Sequence, residues 1–171
     1  MSFLSRLFGK SPADREAMRP LWHRVVEIAR EPQWYAQCGV TDSVPGRFDM
    51  ITLILSLVLL RMEREEPLIE PSVRLTEIFV EDMDGQLRES GVGDLVVGKR
   101  IGKLMSTLGG RMGAVRELSP RDEATLIPVL ERNVTLNEGA DTALMARQVL
   151  ALCSQLDALS DEDILAARIE R

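Results

Sequence analysis

The residues of this chain best suited to chemistry are three closely spaced carboxylates, Glu81, Asp82 and Asp84. Clustered acids on a helix can bind Mg²⁺, because carboxylate oxygens are ligands that this cation prefers. A helical enzyme of that kind also needs a basic cradle for phosphate or a second acidic cluster, and the sequence shows neither. The pattern therefore favours a non-catalytic helix face, with a magnesium-dependent helical enzyme as the alternative.

The helix that carries these acids has two contrasting faces, since successive residues turn by about 100°. Its polar arc consists of Glu77, Glu81, Asp84 and Arg88, and its apolar face of Leu75, Phe79, Met83 and Leu87. Asp82 falls at the edge of the apolar face, where an ionised carboxylate is costly unless it is paired. We predict an ion pair between Asp82 and Arg100 or Arg111 of the next long helix.

That next helix combines an apolar stripe with a row of glycines. The stripe consists of Val97, Ile101, Leu104, Leu108 and Met112, and the glycines are Gly98, Gly102, Gly109 and Gly113. An interior glycine costs a helix about 0.5 to 1 kcal/mol relative to alanine, so a row indicates close approach of another backbone. Either another helix of this chain packs there, or the row is a groove for a partner's helix. The adjoining cations Lys99, Arg100 and Lys103 face acidic groups, lipid phosphates or solvent.

An aromatic segment precedes a turn between residues 34 and 48. Trp34, Tyr35 and Phe48 are interpreted as core anchors rather than ligand-stacking residues, because the chain has few other aromatic side chains. In the turn, Asp42 or Ser43 is expected to cap the following helix, and Arg47 is the exposed functional candidate.

The composition excludes several classes of protein. A formal charge of −6 argues against a nucleic-acid partner, because phosphate binding needs excess positive charge. The single histidine, His23, leaves no pair of imidazoles for a zinc site. Cys38 and Cys153 lack metal-knuckle spacing, and we interpret both as reduced thiols. We predict no metal, no cofactor and no catalytic residue.

The length of 171 residues suits a single domain. The longest apolar run, 50–60, would span about 16 Å as a helix, against roughly 30 Å of membrane hydrocarbon. Residues 1–11 are too interrupted for an export signal and are expected to form a flexible or amphipathic N-terminus with weak contact to a membrane surface. Residues 12–171 are expected to form the helical domain.

The whole pattern predicts an all-α fold, an irregular multi-helix bundle around a buried central apolar helix. Ser11, Ser119 and Ser160 each precede an acid that suits the first turn of a helix, and Gly39, Gly91 and Gly139 suit helix ends. Residues 65–71 are expected to form a loop because they contain Pro67 and Pro71. The predicted helices are 12–31 with an interruption at Pro20, 32–38, 46–64, 71–90, 94–113, 120–137 with a kink at Pro128, 142–158 and 160–169.

Three stretches occur in order between residues 32 and 115: WYAQCGV followed by GRFDM, then FVEDMDGQLRESGVGDLVVGKRIGKLM, then GRMGA. In this combination the chain resembles the ubiquinol-cytochrome c chaperone family, whereas residues 116–171 match only as further helices. The resemblance implies a non-catalytic, α-helical assembly factor that binds newly made cytochrome b and assists maturation of ubiquinol-cytochrome c reductase. It also implies a small partner chaperone or the ribosome as further partners.

The sequence departs from the family at Gly98, where proline is common, and at Leu108 and Val115, where aromatic residues are frequent. The residues expected to have structural roles are Tyr35, Gly39, Asp42, Gly46, Phe48, Asp82, Gly91, Gly93, Asp94 and Arg111. The candidates for client binding are Arg47, Asp84, Arg88, Gly98, Lys99, Gly102, Lys103 and Gly109. We expect a cytoplasmic chaperone, peripheral at the inner face of the membrane, and a soluble protein adaptor is the second alternative.

Overall fold

The computed structural model describes residues 12–89, 97–118 and 121–171. The described backbone is helical with short connections, which confirms the all-α, single-domain bundle. Several predictions concern features outside the described part: the N-terminus 1–11, the caps Ser11 and Ser119, residues Gly91, Gly93 and Asp94, the surroundings of Gly98, and the side chains of Arg88 and Arg100.

Three short helices begin the described chain: α1 (Pro12–Glu16), α2 (Arg19–Ala29) and α3 (Pro32–Ala36). The predicted interruption near Pro20 is present, and it falls at the turn of Ala17 and Met18. Pro20 itself lies in the first turn of α2. Proline is tolerated there because its missing N–H has no intrahelical partner to lose.

The central helix, α4 (Val44–Met62), confirms the buried apolar element. Every residue from Met50 to Met62 is buried, including Thr52 and Ser56. The Thr52 hydroxyl donates to the carbonyl oxygen of Phe48 at 3.0 Å, and Ser56 donates to that of Thr52 at 2.6 Å. Both hydroxyls are thus satisfied by their own helix, so they can be buried at little cost.

The acid-bearing helix, α5 (Glu66–Glu89), begins earlier than predicted. The expected loop at 65–71 is wrong, because Pro67 and Pro71 both lie within the helix. Pro67 occupies the first turn, where no N–H is needed. Pro71 forfeits one hydrogen bond near the helix start, and full burial of Leu68 offsets that loss.

Four helices complete the described chain: α6 (Val97–Arg116), α7 (Glu123–Asn133), α8 (Thr142–Ala158) and α9 (Asp161–Leu165). Ser160 caps α9 as predicted, since its hydroxyl oxygen accepts from the N–H of Asp163 at 3.1 Å. Asp122 caps α7 and exchanges hydrogen bonds with Thr125, and Asp141 caps α8. Local side-chain chemistry therefore sets where these helices begin.

Helix α4 lies among α2, α5, α6 and α8, and α7 packs against α8. A single antiparallel bridge between Val40 and Leu136 joins the turn before α4 to the segment after α7. Gly39 and Gly139 have φ values of +83° and +74°, which confirms them as left-handed helix-stop or turn residues. In the described ranges, no helix is both long enough and apolar enough to cross a membrane.

Candidate functional site

The glycine face of α6 is open. Gly102 and Gly109 are exposed, and a Cβ atom added to either would meet nothing within 4 Å. The same is true of a Cβ added to the half-buried Gly113. Among the described residues, no other helix packs against these glycines, and the docking groove stays a prediction.

An exposed methionine lies between the two open glycines on the same face. Met105 is 37% exposed, and Ile101 and Met112 beside it are half-buried. We call this surface the α6 strip, defined as Ile101, Gly102, Met105, Gly109 and Met112. Its glycines have no side chains that project from the helix, and its other residues expose apolar atoms. Together these features let a second helix approach closely.

Two cations border the α6 strip. Lys99 and Lys103 are both exposed, and neither forms an ion pair with a described residue. Of the predicted client-binding residues, Lys99, Gly102, Lys103 and Gly109 thus lie together on the accessible side of α6. A partner that carries acidic groups beside an apolar segment would complement this side.

The opposite face of α6 is anchored by a buried ion pair. Arg111, 8% exposed, binds the Asp49 carboxylate at 2.5 Å and the Asp49 carbonyl oxygen at 2.9 Å. The other carboxylate oxygen of Asp49 accepts from the N–H of Thr135 at 2.9 Å and from its hydroxyl at 2.6 Å. Asp49 therefore connects α4, α6 and the segment after α7.

Sequence reasoning missed Asp49. The only available signal was its position next to Met50, at the start of the buried run of α4, where a carboxylate must find a partner. The Arg111 guanidinium also lies 6.0 Å from the centroid of the Phe48 ring. Because Arg111 is held by Asp49, the prediction that it pairs with Asp82 is wrong.

A polar cleft of about 350 Å³ opens beside this anchor. Gly110 and Ser106 belong to the cleft and lie next to the α6 strip along the same helix. The exposed Arg132 of α7 forms its far wall and makes no ion pair with a described residue. An apolar surface and a basic, polar recess therefore adjoin each other at this end of the bundle.

Asp82 has a different partner from the one predicted. Its carboxylate accepts from the indole N–H of Trp22 at 2.5 Å and lies 3.4 Å from a guanidinium nitrogen of Arg19. The Trp22 ring packs edge-on against Phe79, with centroids 5.9 Å apart. Asp82 thus joins α5 to α2 instead of α6.

Two further acids of α5, Glu77 and Glu81, are also matched by arginines. Glu81 lies 3.5 Å from Arg19 and 3.9 Å from Arg15, and Glu77 lies 3.0 Å from Arg74. Asp84 is half-buried. Among the residues that the structure describes, no three His, Cys, Asp or Glu side chains are grouped so as to hold a metal ion. The arginines that face Glu77 and Glu81 belong to α1, α2 and α5 itself.

The turn before α4 is tightly built around two glycines. A Cβ on Gly39 would lie 2.7 Å from the Cα of Ala140, and one on Gly46 would lie 2.0 Å from the carbonyl oxygen of Thr41. The Ser43 hydroxyl caps α4 by accepting from the Gly46 N–H at 3.2 Å. Neither glycine therefore has room for a side chain in this turn.

Arg47 leaves the turn toward solvent and binds the Asp42 carboxylate at 2.7 Å. Both side chains are well exposed, at 59% and 61%. The hydrogen bond from Arg47 holds the pKa of the Asp42 carboxyl below its usual range. Arg47 remains a client-binding candidate by its exposure, although it lies away from α6 in the sequence.

The aromatic segment anchors the core, as predicted for Trp34. Its ring is fully buried and its indole N–H donates to the carbonyl oxygen of Ile28 at 2.7 Å. Tyr35 and Phe48 are half-buried and pack against the core, and the Tyr35 hydroxyl donates to the Ala29 carbonyl oxygen at 2.8 Å. The Arg171 guanidinium covers the Trp34 ring at 4.9 Å, so the end of the chain closes over this segment.

Residues 36–171 match the family described as ubiquinol-cytochrome C chaperone. The chain belongs to this family of assembly chaperones for ubiquinol-cytochrome c reductase, as the resemblance between residues 32 and 115 indicated. The crystal structure of the Cbp3 homolog from Brucella abortus is similar, with a TM-score of 0.81 at 32% identity over 99% of this chain and 96% of that chain. No curated protein matches the sequence.

Proposed function

We propose that this assembly chaperone binds newly synthesised cytochrome b and holds it while ubiquinol-cytochrome c reductase matures. The observation that carries the proposal is the α6 strip, whose Gly102 and Gly109 contact no other part of the described chain. Glycines that destabilise a helix and pack against nothing gain a physical purpose when a partner's helix lies across them.

The chemistry of the strip suits a segment of a membrane protein. Met105 offers a flexible, polarisable side chain that adapts to irregular apolar surfaces, and Gly102 and Gly109 allow close approach of a backbone. Binding would shield apolar client surface from water until the client is inserted and assembled. A strip only about two to three helical turns long supports transient capture and release.

Charge sets the orientation of the client in this proposal. Lys99 and Lys103, together with Arg132 of the adjoining cleft, would meet acidic side chains at the end of the client segment. The same cations would favour the anionic inner face of the cytoplasmic membrane, where the client is inserted. We therefore place the protein in the cytoplasm, peripheral to that membrane, with a small partner chaperone or the ribosome supplying the client.

The strip is tested by Gly102→Leu and Gly109→Leu, which fill the open face with bulky side chains. The matched control is Gly85→Leu, because Gly85 is also a helical glycine with nothing within 4 Å of an added Cβ. Recovery of newly made cytochrome b with the tagged protein should fall strongly for the two α6 variants and remain at the wild-type level for the control. Circular dichroism establishes that each variant is folded.

Capture of cytochrome b by a folded Gly109→Leu variant at the wild-type level would contradict the role of the strip. Deletion of the gene tests the function itself, and mature cytochrome b with its haem should then decrease. Normal amounts of both would overturn the proposal. Consistent recovery of soluble proteins without cytochrome b would instead indicate a soluble adaptor.

A further inference from the structure

A second cleft, of about 390 Å³, lies at the opposite end of α4 from Asp49. Its walls come from the turn after α4, the segment before α7 and the middle of α8. Leu118 and Leu150 supply an apolar wall. We call it the arginine cleft, and its polar residues are Arg64, Arg121, Cys153, Ser154 and Asp157. Arg61 lies beside it, in a narrow recess that shares Arg64, Arg121, Cys153 and Asp157 with the cleft.

Arg61 contributes a buried donor that lacks a partner. The residue is only 7% exposed, its Nε donates to the carbonyl oxygen of Leu156 at 3.1 Å, and one terminal nitrogen binds Asp161 at 3.0 Å. The other terminal nitrogen, Nη1, is buried without a hydrogen-bond acceptor in the described protein. Leaving a charged donor buried and unsatisfied costs more than a typical hydrogen bond contributes.

Arg121 is the second incompletely satisfied cation. Its Nε is buried without an acceptor, and it forms no ion pair with a carboxylate of the described residues. Its neighbour in the cleft is the Cys153 thiol. Burial raises the pKa of that thiol, although Arg121 opposes the shift, so the sulfur stays protonated near neutral pH and leaves the guanidinium charge uncompensated.

The third arginine is already paired, but loosely. Arg64 binds Asp157 at 2.8 Å, and both side chains are 46% exposed at the mouth of the cleft. Exposed pairs of this kind contribute little stability, so Arg64 can turn toward another anion at small cost. With Asp157 counted against Arg64 and Arg121, the cleft keeps one net positive charge.

We propose that the arginine cleft binds a phosphate group. Its donors come from separate elements: the guanidinium of Arg64 from the turn after α4, the guanidinium of Arg121 from the segment before α7, and the Ser154 hydroxyl from α8. The positive charge of Arg61 lies in the adjoining recess. A tetrahedral phosphate accepts hydrogen bonds from several directions, whereas a planar carboxylate is satisfied by one bidentate arginine. The apolar wall next to these donors leaves room for the organic part of a phosphate ester.

This site is independent of the α6 strip and does not rest on cytochrome b binding. It is tested by calorimetric titration of inorganic phosphate into the full chain at constant ionic strength. Wild type should bind one phosphate saturably, and Arg121→Gln should weaken binding by about tenfold or more, since a hydrogen bond to a charged group is lost. Arg30→Gln is the matched control, because Arg30 is exposed and outside the cleft, and it should bind like wild type.

Folding of Arg121→Gln is checked by thermal denaturation without phosphate, where its Tm should equal or exceed that of wild type because an uncompensated charge has been removed. Arg64→Gln removes an exposed guanidinium group and should also weaken phosphate binding. A parallel titration with short-chain phosphatidic acid identifies the source of the phosphate: tighter binding assigns a lipid, and equal binding assigns free phosphate. Absence of saturable binding in wild type, or equal binding by wild type and both cleft variants, would overturn the proposal.

Discussion

Two pairs of glycines in this protein stand in opposite surroundings. Gly39 and Gly46, around the turn before α4, have no room for a Cβ, since other backbone atoms lie within 2.7 Å and 2.0 Å of its position. Gly102 and Gly109 on α6 have open space at the same position. The first pair is required by the folded chain, whereas the second pair weakens a helix and allows no close contact with the described residues.

The difference separates structural from functional use of one residue type. A glycine that the fold requires is explained by the distance to its neighbour, and nothing outside the protein need be invoked. Open space at a helical glycine is not by itself a sign of function, because Gly85 has it too; Gly102 and Gly109 are proposed to contact a client because they also lie beside the exposed Met105. The free energy of unfolding of variants at these glycines can therefore distinguish the two pairs without any client present.

The largest loss of stability is expected from removal of the ion pair that joins the start of α4 to α6. Asp49→Ala should lower the free energy of unfolding by about 3 to 5 kcal/mol, because it leaves Arg111 buried without its counter-charge. Urea denaturation measures this loss. Asp42→Ala, which removes an exposed carboxylate from the same region, is the control and should change the stability far less. Equal losses for the two variants would show that the Asp49–Arg111 pair does not hold α6 to α4.

The next effect concerns the glycines of the turn. Gly46→Ala should destabilise the protein by about 3 kcal/mol, because the new methyl group would overlap the carbonyl oxygen of Thr41 and the turn would have to shift. The midpoint and slope of urea denaturation provide the measurement. A stability within the error of wild type would mean that the turn is not constrained by close packing at this position.

At the glycines of α6, substitution by alanine is expected to increase the stability of the protein instead of lowering it. Gly102→Ala and Gly109→Ala should each stabilise the protein by about 0.5 to 1 kcal/mol, since alanine favours the helix and its Cβ meets nothing. Thermal and urea denaturation should agree on this gain. If either substitution destabilises the protein, the α6 face is packed in solution and the comparison between the two pairs of glycines fails.

The smallest expected effect is a pH dependence of stability that comes from the Asp42–Arg47 pair in the turn. The hydrogen bond from Arg47 lowers the pKa of Asp42, so the pair stabilises the fold above the pKa of the unfolded carboxyl and loses that contribution as the pH falls through the lowered pKa. An NMR titration of the Asp42 carboxyl should therefore give a lower midpoint in wild type than in Arg47→Gln. Identical midpoints would show that the two exposed groups do not interact in solution.

Several elements of the fold could be predicted because their causes are local. The continuous apolar run of α4 predicts burial on all sides, and Ser160 followed by Asp163 predicts the start of α9. The loop expected at 65–71 fails because proline statistics describe an isolated segment. In the folded protein, burial of Leu68 in the shared core decides that the helix continues through both prolines.

The candidate site also combines features that the local sequence predicts with features that only tertiary packing decides. Periodicity alone places Gly102 and Gly109 on one face of α6, but only the structure shows that this face is open. Asp49 gave no clear signal, because the importance of a carboxylate depends on which arginine reaches it. Asp82 did give a signal, its position at the edge of an apolar face, yet its partner was predicted on the wrong helix.

The amino-acid sequence by itself determined the helical class, the central helix α4, the cap Ser160 and the family, since each depends on neighbours along the chain or on ordered motifs. The tertiary structure alone decided the partners: Trp22 and Arg19 for Asp82, and Asp49 for Arg111. The physical reason is that helix crossings bring together residues about 60 positions apart. No local period records which helix faces will meet, or which face will be left for another molecule.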